Sequence, residues 1–301
     1  MKRNKIQGVI TIVSMPFDDQ GHIDVGCLRD LVDFNVEAGV HGVGIALGSE
    51  VFKLNEAERD LVLREVVESA GGRVPVVMNT GASGTDLALL YSLRAQDLGA
   101  DALMVYPPSF LAVSDEQARA YYKAISDGVH IPIIIQDHSG GQVPPSLIKQ
   151  ITAESEWVQY VKVETPPAPL RIAQTVQACG DRVGVFGGAG GSYLVEELRR
   201  GSTGIMPGSY QPATLVRLWD RFHSGDEDEA ERIFYTEMLP FLRITMMDEG
   251  VFFQATKEIL VRRGLFRTSH VRAPSTPMDA TTHKELDRVI DRLLEIESGY
   301  K

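Results

Sequence analysis

A chain of 301 residues with 44% hydrophobic and 24% charged side chains has the composition of a folded protein. It excludes a disordered tail, a collagen-like fibre and a disulfide-stapled mini-protein. Thirty basic against 41 acidic residues leave a net charge of −11, which repels nucleic acid and anionic membranes over most of the surface while leaving room for a local basic pocket that takes a small acidic substrate.

The segment Met1-Lys2-Arg3-Asn4-Lys5 is basic, but the apolar run after it is too short and too polar for a secretion signal. No stretch approaches the ~18 apolar residues of a membrane span. A soluble, cytoplasmic protein is expected. With only Cys27 and Cys179, neither a disulfide framework nor a cysteine zinc site is expected.

Short β-branched runs then recur at residues 9–13, 42–47, 74–78, 102–106, 131–136, 158–163, 183–186 and 203–206. Each is nearly continuous in apolar residues, as strands covered on both faces of a parallel sheet are. Helical segments separate them. Asn55 with Glu58, and Ser114 with Gln117, have the spacing of capping boxes, and Gly71, Gly72 and Gly99 stand where helices stop. Eight such units, with no glycine fingerprint after the first strand, favour a closed α/β (β/α)8 TIM barrel over a doubly wound sheet. The barrel is expected to occupy residues 1–224. Residues 225–301 contain no strand pattern and read as a C-terminal three-helix appendage, with Pro274 and Pro277 in the loop before the last helix. Asp226-Glu227-Asp228-Glu229 reads as a solvated helix start.

The active site of such a barrel lies at the C-terminal ends of its strands. In the sixth run, Val158-Gln159-Tyr160-Val161-Lys162-Val163-Glu164, alternation turns Val161 and Val163 toward the helices and Tyr160, Lys162 and Glu164 toward the barrel axis. Burial favours the neutral form of an amine, and a neutral amine is what imine formation on a 2-keto acid needs. The plainer alternative is a lysine paired with Glu164 near the rim. After the second strand, the turn Gly48-Ser49-Glu50 offers a hydroxyl and backbone N–H groups to a carboxylate, or is an ordinary connecting loop. Thr80 stands in a similar small-residue loop after strand three. Gly188 and Ala189 belong to the glycine loop after strand seven, which either cradles a phosphate or leaves room for a substrate tail. His138 after strand five is an acid/base candidate or a loop residue. Metal-ligand spacings such as H-x-x-x-H are absent, so no metal is expected.

In this order, these residues resemble the dihydrodipicolinate synthase / N-acetylneuraminate lyase family. The likeness runs through Gly48-Ser49-Glu50, Leu54-Asn55-Glu56-Ala57-Glu58-Arg59, Thr80-Gly81-Ala82, Tyr106-Pro107-Pro108, Tyr160-Val161-Lys162-Val163-Glu164 and Gly201-Ser202-Thr203-Gly204. It implies a barrel enzyme, usually a homotetramer, acting on pyruvate or another 2-keto acid with no cofactor beyond a covalent lysine imine. Lys162 aligns with the imine-forming lysine and Gly48-Ser49 with the carboxylate-binding turn. The chain also departs from the family pattern. Gln136 stands where most members carry a relay tyrosine, Phe110 lacks the hydroxyl of the tyrosine borrowed from a neighbouring subunit, and the loop 137–142 has no arginine for a second carboxylate. The 2-keto-3-deoxy-L-arabonate dehydratase subgroup is similar at Ser49-Glu50, Ile135-Gln136-Asp137, Lys162-Val163-Glu164-Thr165-Pro166 and the region before Lys257, although it has acidic residues where this chain has Gly188-Ala189-Gly190.

The expected activity is a class I lyase that dehydrates a 2-keto-3-deoxy sugar acid through an imine on Lys162. Glu164, His138 or a water held by Gln136 supplies the acid/base step, and Gly48, Ser49, Thr80, Gly188 and Ala189 contact substrate. The rival readings are a pyruvate-dependent aldolase, a non-catalytic barrel that binds a keto acid, and a phosphate-binding isomerase.

Overall fold

The computed structural model describes residues 6–299; the basic segment 1–5 and the last two residues lie outside them. Eight parallel strands, β1 (Gly8–Ile12), β2 (Gly42–Ile45), β3 (Val76–Asn79), β4 (Ala102–Val105), β5 (Ile133–Asp137), β6 (Val158–Val163), β7 (Gly184–Gly187) and β8 (Gly204–Ile205), close into a barrel in chain order. Around it run α1 (Val25–Glu37), α2 (Glu56–Ala70), α3 (Thr85–Asp97), α4 (Asp115–Gly128), α5 (Pro145–Glu154), α6 (Ala168–Cys179), α7 (Leu194–Leu198) and α8 (Pro212–His223). Alternation sorts the side chains into two layers. Ile10, Ile12, Val77, Met104, Ile134, Tyr160 and Phe186 fill the barrel interior, while Val9, Val43, Val161, Val163 and Val185 meet the helices. Continuous apolar runs were the signature of this double burial.

Closure depends on β8 approaching β1. A Cβ on Gly204 would stand 2.2 Å from the Gly8 carbonyl oxygen, so only glycine lets the two strands meet there. The capping boxes form as spaced: Asn55 Oδ1 accepts the Glu58 N–H at 3.0 Å while the Glu58 carboxylate accepts the Asn55 N–H at 2.9 Å. Ser114 and Gln117 repeat this exchange at 3.2 and 2.9 Å. No helix among the described residues is long and apolar enough to cross a membrane. Both cysteines are buried thiols.

Beyond the barrel come α9 (Glu227–Ile233), α10 (Leu239–Thr245), α11 (Glu249–Arg262) and α12 (Ala280–Ser298). The first helix expected there is interrupted by a π turn, Phe234–Met238. Pro240 explains it: proline has no N–H to give and its ring crowds the carbonyl of Thr236 four residues back, so the helix widens.

One buried acid stands apart. Glu197 on α7 is fully buried, its carboxyl sits in the space left by the missing Cβ of Gly187, and neither carboxyl oxygen has a protein hydrogen-bond partner among the described residues. Burial, then the charges of Glu196 and Glu164, push its pKa up to about 8. The folded protein therefore holds a proton on this acid that the unfolded chain, with a carboxyl near ~4.3, has already released. Stability from this group is full below the unfolded value and is lost as pH rises toward about 8. Glu197→Gln is expected to raise the unfolding free energy at pH 8 by roughly 4 kcal/mol and to change little near pH 4. Thermal unfolding across that pH range reads the difference.

Candidate active site

The site is built from the ends of β2 to β7. Lys162, next to last on β6, is 5% exposed and points along the interior stack above Tyr160. Its Nζ lies 3.0 Å from Glu164 Oε1. Gln136 lies beside Lys162 in the β5–β6 register, donates from Nε2 to Glu164 Oε2 at 2.8 Å, and accepts from Asn79 Nδ2 at 3.2 Å. A polar chain thus runs from Asn79 through Gln136 to the Glu164–Lys162 pair. Burial would raise the Glu164 carboxyl, but the Lys162 charge and the Gln136 hydrogen bond outweigh it and hold the group below the usual carboxylate range. At neutral pH the site contains an ionised base, aimed at the lysine and fixed on both oxygens.

The glycine loop after β7 serves Glu164 directly. The Ala189 N–H donates to Glu164 Oε1 at 3.1 Å, and a Cβ on Gly188 would fall 2.2 Å from Glu164 Cγ. The expectation that Gly188 and Ala189 contact substrate therefore changes. In this structure the Ala189 amide is engaged and Gly188 is the space into which Glu164 folds. Gly188 has φ −144° and ψ −139°, outside the extended region, and a methyl group there collides with the Glu164 side chain. Gly188→Ala is expected to lower turnover about 10- to 100-fold by displacing the Glu164 carboxylate, and to lower the melting temperature as the clash is relieved. Steady-state kinetics beside thermal unfolding checks it.

Two further expectations are corrected. Thr80 follows the inward-facing Asn79, so its side chain turns outward, and its hydroxyl meets Ser92 Oγ on α3 at 2.9 Å. Asn79 takes the inward position, and Arg59 of α2 holds the two adjoining loops by donating to the carbonyls of Asn79 (2.5 Å) and Val51 (3.3 Å). At Gly48-Ser49-Glu50 the chain makes a tight turn in which the Ser49 and Glu50 N–H groups donate to the carbonyls of Ala46 and Leu47, each at 2.9 Å. The Ser49 amide is therefore not available to a carboxylate. Its buried hydroxyl accepts the Ala46 N–H at 3.2 Å and keeps its own proton to donate. Glu50 adopts a left-handed conformation, φ 53°, which costs a non-glycine residue about 1 kcal/mol.

His138 stands at the rim after β5, where Nδ1 accepts the Gly140 N–H at 3.3 Å. Its ring lies 6.1 Å from that of Tyr106, at the end of β4. Tyr106 was not singled out from the sequence as a site residue. Burial, then the charges of Glu164 and Glu249, raise its phenol, so it enters the mouth as a neutral hydroxyl. Only its place one residue beyond a strand hinted at this. Asn79 was legible in principle, because alternation along β3 puts it on the same face as Val77.

Fold and site together define an α/β barrel enzyme with a lysine–carboxylate pair inside its mouth. The chain belongs to the dihydrodipicolinate synthetase family, a family of lyases, whose sequence model matches residues 5–293. It is 30% identical over 294 residues to the L-2-keto-3-deoxyarabonate dehydratase of Azospirillum brasilense, covering 95% of this chain and 94% of that protein. It is 29% identical over 232 residues to the 4-hydroxy-tetrahydrodipicolinate synthase of Pelobacter propionicus, covering 75% and 79%. Among solved structures, dihydrodipicolinate synthase from Rhodopseudomonas palustris superposes with a TM-score of 0.87 at 29% identity, over 95% of this chain and 97% of that one.

Proposed function

We propose that this protein is a class I lyase that dehydrates a 2-keto-3-deoxy sugar acid. The observation that carries the reading is the Lys162–Glu164 pair held by Gln136 at the position where most relatives are expected to carry a relay tyrosine. Lys162 gives its proton to Glu164 and attacks the C2 carbonyl, and water leaves as the imine forms. The protonated imine is an electron sink that acidifies C3. Glu164, returned to its carboxylate, removes a C3 proton, and the enamine expels the C4 hydroxyl, which leaves as water with that same proton. Hydrolysis of the imine releases the unsaturated product and restores Lys162. Electrons and protons balance within substrate, lysine and carboxylate, with no further cofactor. The Ser49 hydroxyl donates to the C1 carboxylate.

Aldol cleavage needs a base on the C4 hydroxyl instead. The Tyr106 phenol beside Glu164 is the group here that favours this second reading, and several relatives are named as synthases. Mass analysis of products from a 2-keto-3-deoxypentonate separates the two: loss of 18 mass units without pyruvate supports dehydration, whereas release of pyruvate and an aldehyde supports cleavage. We further propose a homotetramer as the working form, because Phe110 and Leu111 on the loop after β4 are 83% and 71% exposed and Leu87 and Leu90 on α3 are also uncovered.

A further inference from the structure

Beneath the turn that follows β2 lies a buried charge cluster for which the proposed chemistry has no use. Glu50, fully buried, accepts from Lys53 Nζ at 2.9 Å on Oε2 and from Lys257 Nζ on Oε1. Lys257, 1% exposed on α11, also donates to the His270 carbonyl at 2.7 Å. Lys53 donates in turn to the Arg272 carbonyl at 2.6 Å, and Arg272 grips both carboxylate oxygens of Glu58 at 2.5 and 3.0 Å. The Phe17 ring lies 4.5 Å from Lys257 Nζ and 4.3 Å from the Arg272 guanidinium. Phe252, also on α11, lies 3.8 Å from where a Cβ on Gly48 would stand.

A simple staple between barrel and C-terminal helices would need one balanced pair. Here two carboxylates face three cations, and the excess positive charge lies under the turn that carries Ser49. Glu50 directly follows Ser49 and holds a left-handed backbone, so Lys257 grips the residue next to the one whose hydroxyl, held by the Ala46 N–H, faces the substrate carboxylate. We infer that Lys257 is a positioning residue through which the C-terminal helices set the affinity of the Gly48-Ser49 turn for the carboxylate of a 2-keto acid. This rests on the keto-acid reading proposed above.

The charge is also one that titrates. Burial lowers the Lys257 pKa to about 8, against the opposing pull of Glu50, with Lys53 and Arg272 adding repulsion. The groups facing it are Glu50 and Lys53 from the β2–α2 connection, Arg272 and His270 from the segment after α11, and the Phe17 ring. Below pH 8 Lys257 is charged and the turn is attractive to an anion. Above it the excess charge is lost and the ion pair between Lys257 and Glu50 weakens to a neutral hydrogen bond.

Borohydride trapping on Lys162, titrated with pyruvate and with its uncharged methyl ester, tests this. Lys257→Met is expected to raise the half-saturating pyruvate about tenfold, leave methyl pyruvate within about twofold, and leave the rate at saturation nearly unchanged. Lys257→Arg is expected to restore pyruvate binding. In the wild-type protein the preference for pyruvate over its ester is expected to fall as pH passes 8, and in Lys257→Met to be flat. Should the methionine variant fail to fold, the wild-type pH series gives the same reading. Equal weakening of both ligands, or a pH-independent preference in the wild type, would make Lys257 a structural staple and overturn the inference. If the wild-type protein trapped neither ligand, the keto-acid reading itself would fall, and the inference with it.

Discussion

Replacing Lys162 with alanine is expected to remove turnover by about 10⁴-fold or more and to abolish every borohydride-trapped adduct. The amine is the nucleophile, and among the described residues Lys162 is the lysine at the open end of the barrel interior. The substitution also leaves Glu164, with 12% side-chain exposure, without its counter-charge. Loss of one partner from a buried pair destabilises, here by about 2–3 kcal/mol. The double variant Lys162→Ala/Glu164→Gln is expected to recover most of that stability and none of the activity. Denaturant unfolding of the three proteins beside their kinetics checks both statements. Equal inactivity with full stability in the single variant would mean that the pair is solvated more than the geometry shows.

Glu164→Gln is expected to cut kcat by about 10²- to 10⁴-fold while Lys162 still forms a trappable imine. The amide fills the same space beside Gly188 and can still accept from Gln136, but it cannot take a C3 proton. Because Lys162 and Gln136 hold the carboxyl below its ordinary value, Glu164 stays ionised as pH falls through the usual carboxylate range. The acid limb that this group sets in the kcat profile is therefore expected below the range of an ordinary glutamate. An amide variant with unchanged kcat would transfer the base role to His138 or Tyr106.

Much of the fold was legible because burial on both faces of a parallel strand leaves an unmistakable apolar run. The sixth strand shows how far this goes. Its alternation places Lys162 and Glu164 on the interior face, and the structure has them there, 3.0 Å apart. Gln136 was reached through a departure from a family pattern, and the register beside Lys162 gives that departure a physical meaning. The loops were harder. A glycine-rich loop reads as space, but what fills the space depends on a residue from another strand: Gly188 makes room for Glu164 and not for an anion. Thr80 was misplaced for a simpler reason, since one step beyond Asn79 reverses the direction of the side chain. The tie between Lys257 and Glu50 joins positions far apart in the chain, and no local pattern announces it. Only the fold brings that ammonium to the turn.

The most direct measurement is borohydride trapping of the wild-type protein with a 2-keto-3-deoxypentonate and, in parallel, with pyruvate, followed by peptide mass mapping. The chemistry proposed for Lys162 predicts an adduct on the peptide containing Lys162 and on no other lysine, with the sugar-acid adduct reduced in mass by one water. An adduct on another lysine, or none from either keto acid, would contradict the imine at the centre of the mechanism.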